Sequence, residues 1–298
     1  MKEVTMRIIA SVYEATDLPL FAKNGATGIV LGVAGFCAGM GVTFDLATCH
    51  RMASIAKSLA LAVYLRFDKM IREGELEALR QVLSNIDFTI VDAIICFDQT
   101  VLAVAMELGI AGKIIYQPGT QNTNLFDPWH YQTLGVKGIT ISREVTLSDI
   151  VAICACETGI ELSLIGHGHL PMFYSARHLI SDYVQHKNKP LIRQKDATLR
   201  LEEDTRPGTY FPLWEDESGT QVYRPKQLCS LRELGVLKPY LADLFLERSF
   251  VSDAEYLQTI RAYADGSLVD AYLQTYGDHC DSGSFYERTD QPLGEVDE

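Results

Sequence analysis

The chain has 298 residues, enough to bury a sizeable core, and its 47% hydrophobic and 22% charged residues are an ordinary globular mix. No apolar run approaches the roughly 18–20 uncharged residues of a membrane span, and Met1–Arg7 leads straight into Ile8-Ile9-Ala10 without a signal-peptide pattern, so a cytoplasmic location is expected. A net charge of −13 and a pI near 5.0, without any Lys/Arg run, argue against unaided binding to a phosphate backbone.

Short apolar runs recur at Arg7–Ser11, Gly28–Val33, Leu59–Leu65, Ala93–Phe97, Lys113–Tyr116, Gly138–Ile141 and Glu161–Ile165. Their length and lack of alternation predict parallel strands buried on both faces. Between them lie amphipathic stretches such as Leu46–Lys57, Glu75–Ser84, Thr100–Leu108 and Leu147–Glu157. Gly25, Gly109, Gly135 and Gly159 fall where helices should stop, and Thr146 can cap the helix after it. Such regular alternation predicts an α/β fold, a (β/α)8 TIM-like barrel.

The eighth strand is expected late, at Ala242–Glu247, with Asp253–Tyr263 as its closing helix. Residues 1–264 then form the barrel, with an inserted subdomain at about 167–241 between strands seven and eight. Within it, Glu215–Thr220 reads as a hairpin turn between Tyr210–Trp214 and Gln221–Tyr223. The polar stretch 265–298 is expected to be an extension that packs loosely over the barrel or frays.

The seven cysteines are odd in number and scattered, which argues against a disulfide framework. Cys154 and Cys156, one residue apart on a predicted helix, point about 200° apart and make a poor metal pair.

Barrel chemistry sits on the loops that follow the strands. Those loops carry Arg66 and Asp68, then Asp98, then Gln117–Asn124, then Ser142-Arg143-Glu144, then His167-Gly168-His169. The candidate substrate-binding residues are therefore Arg66, Asp98, Gln121, Asn124, Arg143, Glu144 and His167. Such a mixed-charge mouth suits a small polar or anionic ligand, and an arginine can fork onto a carboxylate. Each has a plainer alternative. Asp98 can cap the helix starting at Gln99, Arg143 and Glu144 can pair with each other, and Arg66 and Arg177 can be surface charges. Trp129 and Trp214 read as core or interface aromatics.

Ile141–Ser148 (ISREVTLS) resembles the Ser-Arg-Glu-Leu segment of the collagenase-like peptidase family, known as U-thirty-two. Glu161–Gly168 (ELSLIGHG) resembles its next strand, which ends in His-Gly. Thr205–Pro212 and Glu215–Thr220 resemble its insertion, and Asp98 and the Gln121/Asn124 segment fit as well. The matches run in order from about residue 28 to about 264.

The resemblance implies a barrel protein and, in one branch, prephenate-dependent 5-hydroxylation of the tRNA wobble uridine. Members of this length resemble the shorter partner of a two-protein pair, which implies a homologous cluster-bearing or more basic subunit and tRNA contact only through that complex. Relatives hold an iron–sulfur cluster through four cysteines. Here the corresponding positions are Pro171, His178 and about Ile192, and only Cys229 is kept. The resemblance thus implies no resident cofactor, with His167, His169, His178 and Cys229 as an alternative zinc set. Relatives also end strand eight in a Lys-Ile-Glu-Gly-Arg-like run, where this chain has Leu246–Phe250, with Glu247 and Arg248 as partial replacements. Two other functions stay open. One is a peptidase, although neither His-Glu-x-x-His nor Gly-x-Ser-x-Gly occurs, and the other is a binding scaffold without chemistry of its own.

Overall fold

The computed structural model describes residues 6–39, 41–188 and 199–287. Strands and helices alternate from the start: β1 (Arg7–Ser11), α1 (Asp17–Lys23), β2 (Gly28–Gly32), α2 (Leu46–Ser58), β3 (Ala62–Phe67), α3 (Leu76–Ser84), β4 (Ala93–Cys96), α4 (Gln99–Glu107), β5 (Ile114–Tyr116), α5 (Phe126–Thr133), β6 (Gly138–Thr140), α6 (Leu147–Cys154) and β7 (Glu161–Gly168). Then come β8 (Pro171–Ser175), α7 (Leu179–His186), β9 (Arg200–Glu202), β10 (Tyr210–Asp216), β11 (Gly219–Tyr223), β12 (Gln227–Cys229) and α8 (Leu234–Leu237). The described chain ends with β13 (Asp243–Leu246), α9 (Asp253–Ala264), α10 (Val269–Tyr276) and β14 (Cys280–Asp281).

β1 to β7 pair in sequence, all parallel, and β13 pairs with both β1 and β7. The result is a closed eight-stranded (β/α) barrel. Its lumen is filled by Ile9, Val30, Tyr64, Ala93, Ile95, Ile115 and Phe245, while the larger core lies between strands and helices. Side-chain caps start the helices: Asp45 accepts from Thr48 N at 2.6 Å, Thr146 from Asp149 N at 3.3 Å and Ser252 from Glu255 N at 3.3 Å. Gly25, Gly109, Gly135 and Gly159 all adopt positive φ where the helices stop.

β3 begins three residues later than the apolar run suggests. Leu59 still bonds back to Ile55 and Ala56, and Ala60 turns the chain at φ 59°, so Leu59–Leu61 form the cap and turn that follow α2 rather than the start of the strand. α6 ends at Cys154, which leaves Cys156 beyond the helix. α1 and α5 carry weak apolar patterns and were not legible as helices.

A second, four-stranded sheet in the order β8-β11-β10-β9 lies over the barrel mouth. Its β10–β11 hairpin is tighter than expected, because pairing continues to Asp216↔Gly219 and leaves Glu217-Ser218 as the turn. Tyr223 OH donates to Gly39 O at 3.0 Å, and a Cβ at Gly39 would lie 1.9 Å from Gln221 Oε1, so the sheet presses directly on the loop after β2.

The stretch after 265 is not loose over its described length. Tyr272 is buried and its hydroxyl lies 3.0 Å from Thr259 Oγ1, Phe285 is buried, and β14 adds to β12. Its polar composition hid three buried anchors, Tyr272, Cys280 and Phe285. Among the described residues, no helix is long and apolar enough to cross a membrane.

Candidate functional site

At the C-terminal end of the barrel, a cavity of about 350 Å³ opens between the strand ends and the inserted sheet. Its barrel side carries Arg66, Asp68, Gln117, Gln121, Arg143 and Glu247, and its sheet side carries His169, Tyr174, Gln221 and Tyr223. Phe97, Phe173, Met70 and Met172 supply apolar wall. The volume lies within the range of small-molecule sites.

Arg66 points inward from β3 and is not a surface charge. Its fork meets Glu247 at 2.8 and 2.5 Å, with both side chains nearly buried. Its Nε finds no hydrogen-bond partner and stands 3.9 Å from Asp68. Glu247 thus supplies a charge at the end of strand eight, while Arg248 turns away to Asp17 and Asp253.

Arg143 behaves differently. Its side chain makes no hydrogen bond or ion pair among the described residues, yet burial draws its pKa below the usual arginine range. Its guanidinium lies over Gly119, where a Cβ would stand 3.1 Å from Nη1 and where φ is +84°. The loop is fixed from below: Asn122 donates to Thr140 O at 2.9 Å, and Ser142 N donates to Asn122 O at 3.1 Å. A half-buried, unmatched guanidinium in a polar cavity is suited to a carboxylate or phosphate.

Glu144 is exposed and makes no ion pair or hydrogen bond with Arg143, acting on it only through space. Asp98 spends both carboxylate oxygens on backbone, accepting from Thr100 N at 2.8 Å and Ile71 N at 2.9 Å. Asn124 is exposed and caps Phe126 N at 2.9 Å. The cavity lining thus takes in Arg66, Gln121 and Arg143 and leaves out Asp98, Asn124, Glu144 and His167.

His167 is excluded by a register shift. Phe245 pairs with Ile165 but Leu246 pairs with His167, so Gly166 is skipped and the imidazole turns from the lumen into the helix layer. There its Nε2 lies 3.0 Å from Gln227 Oε1 and 3.3 Å from Tyr272 OH, with Tyr263 OH 3.4 Å from Nδ1. Trp129 is partly exposed and stacks edge-on with Phe126, whereas Trp214 donates to Asp216 at 3.0 Å.

His169 does face the mouth. Its Nδ1 lies 2.8 Å from Arg224 O, and burial, the largest influence, holds its pKa below the usual histidine range. Tyr174, Gln221 and Tyr223 come from strands whose facing could not be read without the ladder register.

The residues at the cluster positions do not fit an iron–sulfur group. Pro171 lines the mouth but has no donor, His178 is exposed at the start of α7, and Ile192 lies outside the described residues. Cys229 sits in β12 beside a different cavity, shared with Cys280 and Glu233. His167 and Cys229 are neighbours across the β7–β12 pairing, but His169 faces the mouth and His178 is exposed, so the four do not converge, and no group of three or more potential ligands is gathered among the described residues.

The chain is 25% identical to tRNA hydroxylation protein P2 of Bacillus subtilis, over 84% of this chain and 81% of that one. It is 26% identical to tRNA hydroxylation protein P of Escherichia coli, where the match covers 33% of this chain and only 31% of that longer protein. A solved U32 peptidase structure, Mk0906, superposes with a TM-score of 0.48 at 14% identity, covering 83% of this chain and 94% of that chain. The profile of Peptidase family U32 matches residues 14–289, nearly the whole barrel with its insertion, and the chain belongs to that family.

Proposed function

We propose that this protein is a subunit of a tRNA wobble-uridine 5-hydroxylation system in the cytoplasm and that its barrel mouth binds a small carboxylate such as prephenate. The supporting observation is the likeness to tRNA hydroxylation protein P2 across 84% of the chain. The unmatched Arg143 gives that likeness a chemistry, since a guanidinium held over Gly119 can fork onto a carboxylate. Arg66 is already neutralised by Glu247 and acts as a fixed floor to the site.

In this reading the subunit works without an iron–sulfur cluster, because Pro171 offers no ligand and Cys229 lies apart from the mouth. A homologous subunit, cluster-bearing or more basic, supplies the redox chemistry and the phosphate contacts. The charge of −13 is consistent with tRNA contact through that partner alone.

Nucleoside mass spectrometry of bulk tRNA, with and without the gene, tests this directly. Loss of 5-hydroxyuridine derivatives is expected. Unchanged levels, with any redundant homologue also deleted, would refute it. A melting series supports the ligand assignment: prephenate at about 100 times its dissociation constant should stabilise the fold by about 2.7 kcal/mol.

A further inference from the structure

We propose that His169 is a donor-reading subsite at the barrel mouth: its Nε2 accepts a hydrogen bond from a hydroxyl or N–H of the ligand whose carboxylate Arg143 holds. This inference rests on the carboxylate reading of the mouth and adds a second chemical requirement to it.

The tautomer follows from the neighbour. Arg224 O can only accept, so the ring nitrogen 2.8 Å away, Nδ1, carries the hydrogen. A neutral imidazole has one such hydrogen, which leaves Nε2 with a bare lone pair. Burial favours that neutral form. The charged and titratable groups acting on the ring are Arg200 and His167, which oppose protonation, and Glu255, which favours it. Across the cavity stand Arg143, Asp68 and the paired Arg66 and Glu247.

Nε2 has no hydrogen-bond partner among the described residues, and the ring lines the cavity. The contrast with His167, two residues earlier, is direct. That ring has partners at both nitrogens and is fully buried, as a structural histidine should be. His169 is anchored at one nitrogen only.

Its orientation is also enforced. Phe250 packs edge-on against the imidazole at 5.8 Å and 86°, and against Tyr223 at 4.9 Å. To do so Phe250 adopts φ +64°, a left-handed conformation that a bulky aromatic residue rarely takes. Strained residues of this kind persist where their surroundings over-determine them, and they cluster at ligand sites. The strain here buttresses a ring that lines the mouth and is anchored at one nitrogen.

An acceptor left unmatched beside a bound ligand is costly, so such a site discriminates against analogues lacking the donor. The full-length protein can be titrated calorimetrically with two matched pairs of acids that fit the apolar wall. These are 3-phenyllactate against 3-phenylpropanoate, and 4-hydroxyphenylacetate against phenylacetate. In at least one pair the hydroxylated acid should bind about tenfold or more tightly. His169→Asn, whose amide can still reach Arg224 O, should bring that ratio to about one. Arg143→Ala should weaken both members of each pair. Nitrogen-15 spectra should show Nε2 of His169 unprotonated in the free protein.

Equal binding within both pairs, a preference that survives in His169→Asn, or a proton on Nε2 would overturn the assignment. Failure of all four acids to bind the unaltered protein is a different outcome. It would refute the carboxylate reading of the mouth, and His169's role with it.

Discussion

The two ends of this barrel are built from the same ingredients and finished differently. At the N-terminal end Arg7, Asp243, Glu161 and Lys137 form one network. Arg7 reaches Asp243 and Glu161 at 2.6 Å each, and Lys137 closes on Glu161 at 2.6 Å. Tyr64 and Ser163 donate to the remaining capacity of Asp243 from the lumen, at 2.9 and 3.3 Å. At the C-terminal end one arginine is matched in the same way, Arg66 by Glu247, but Arg143 makes no ion pair or hydrogen bond among the described residues, feeling only the through-space charge of the exposed Glu144, and His169 keeps a free nitrogen. Both ends are polar, so polarity alone does not mark a site. Unspent hydrogen-bonding capacity does, because leaving it unspent is costly in a fold unless something else comes to use it.

Three substitutions test that comparison. Glu247→Gln has the largest expected effect. It strips the nearly buried Arg66 of its hydrogen-bonded counter-charge, leaving only Asp68 at 3.9 Å, and should cost about 3 kcal/mol in urea unfolding. It should also disturb ligand binding, since Arg66 and Glu247 both line the cavity. Asp243→Ala should cost about 2–3 kcal/mol, less than a fully buried pair, because Arg7 is a third exposed and keeps Glu161. Its effect should stop at stability. Carboxylate affinity measured on the folded variant should match that of the unaltered protein, and a parallel loss of affinity would break the division between the two ends.

Arg143→Ala should do the reverse. Removing an unpaired, partly desolvated guanidinium should change unfolding free energy by less than about 0.5 kcal/mol. Carboxylate affinity should fall about 10- to 100-fold, the worth of a charge-assisted hydrogen bond. If Arg143→Ala unfolds the barrel instead, the guanidinium is structural and the mouth loses its anion site.

Much of this was written in the local pattern. Each barrel strand lies in an apolar run with a capped helix or a glycine stop nearby, and Arg143 sits on a strand-end loop, where barrel chemistry belongs. The site itself was less legible, for reasons of register. Asp98 and Asn124 have the right side chains in the right loops, but backbone N–H groups occupy their oxygens, two of them two residues on and one from Ile71, 27 residues earlier. His167 would face the lumen if β7 alternated regularly, and one skipped glycine turns it away. Tyr174, Gln221 and Tyr223 reach the mouth because an inserted sheet folds back over it, a long-range placement that no period in the sequence encodes.

The smallest expected effect concerns pH and falls on His169. Burial keeps the folded-state pKa of His169 below its ordinary value. In the unfolded chain the same imidazole titrates near about 6.5. As pH falls through that range, the unfolded state therefore takes up a proton that the folded state declines, and stability must fall with it. His169→Asn removes this contribution while the anchor to Arg224 O can persist. Melting temperatures taken at about pH 7.5 and about 5.5, on either side of the ordinary histidine range, should drop less in the variant than in the unaltered protein. The difference should survive salt, because the ring is largely buried and surface screening reaches it weakly. Identical drops would mean that His169 is readily protonated in the folded state, and a cationic ring could not accept a hydrogen bond from a ligand at the mouth.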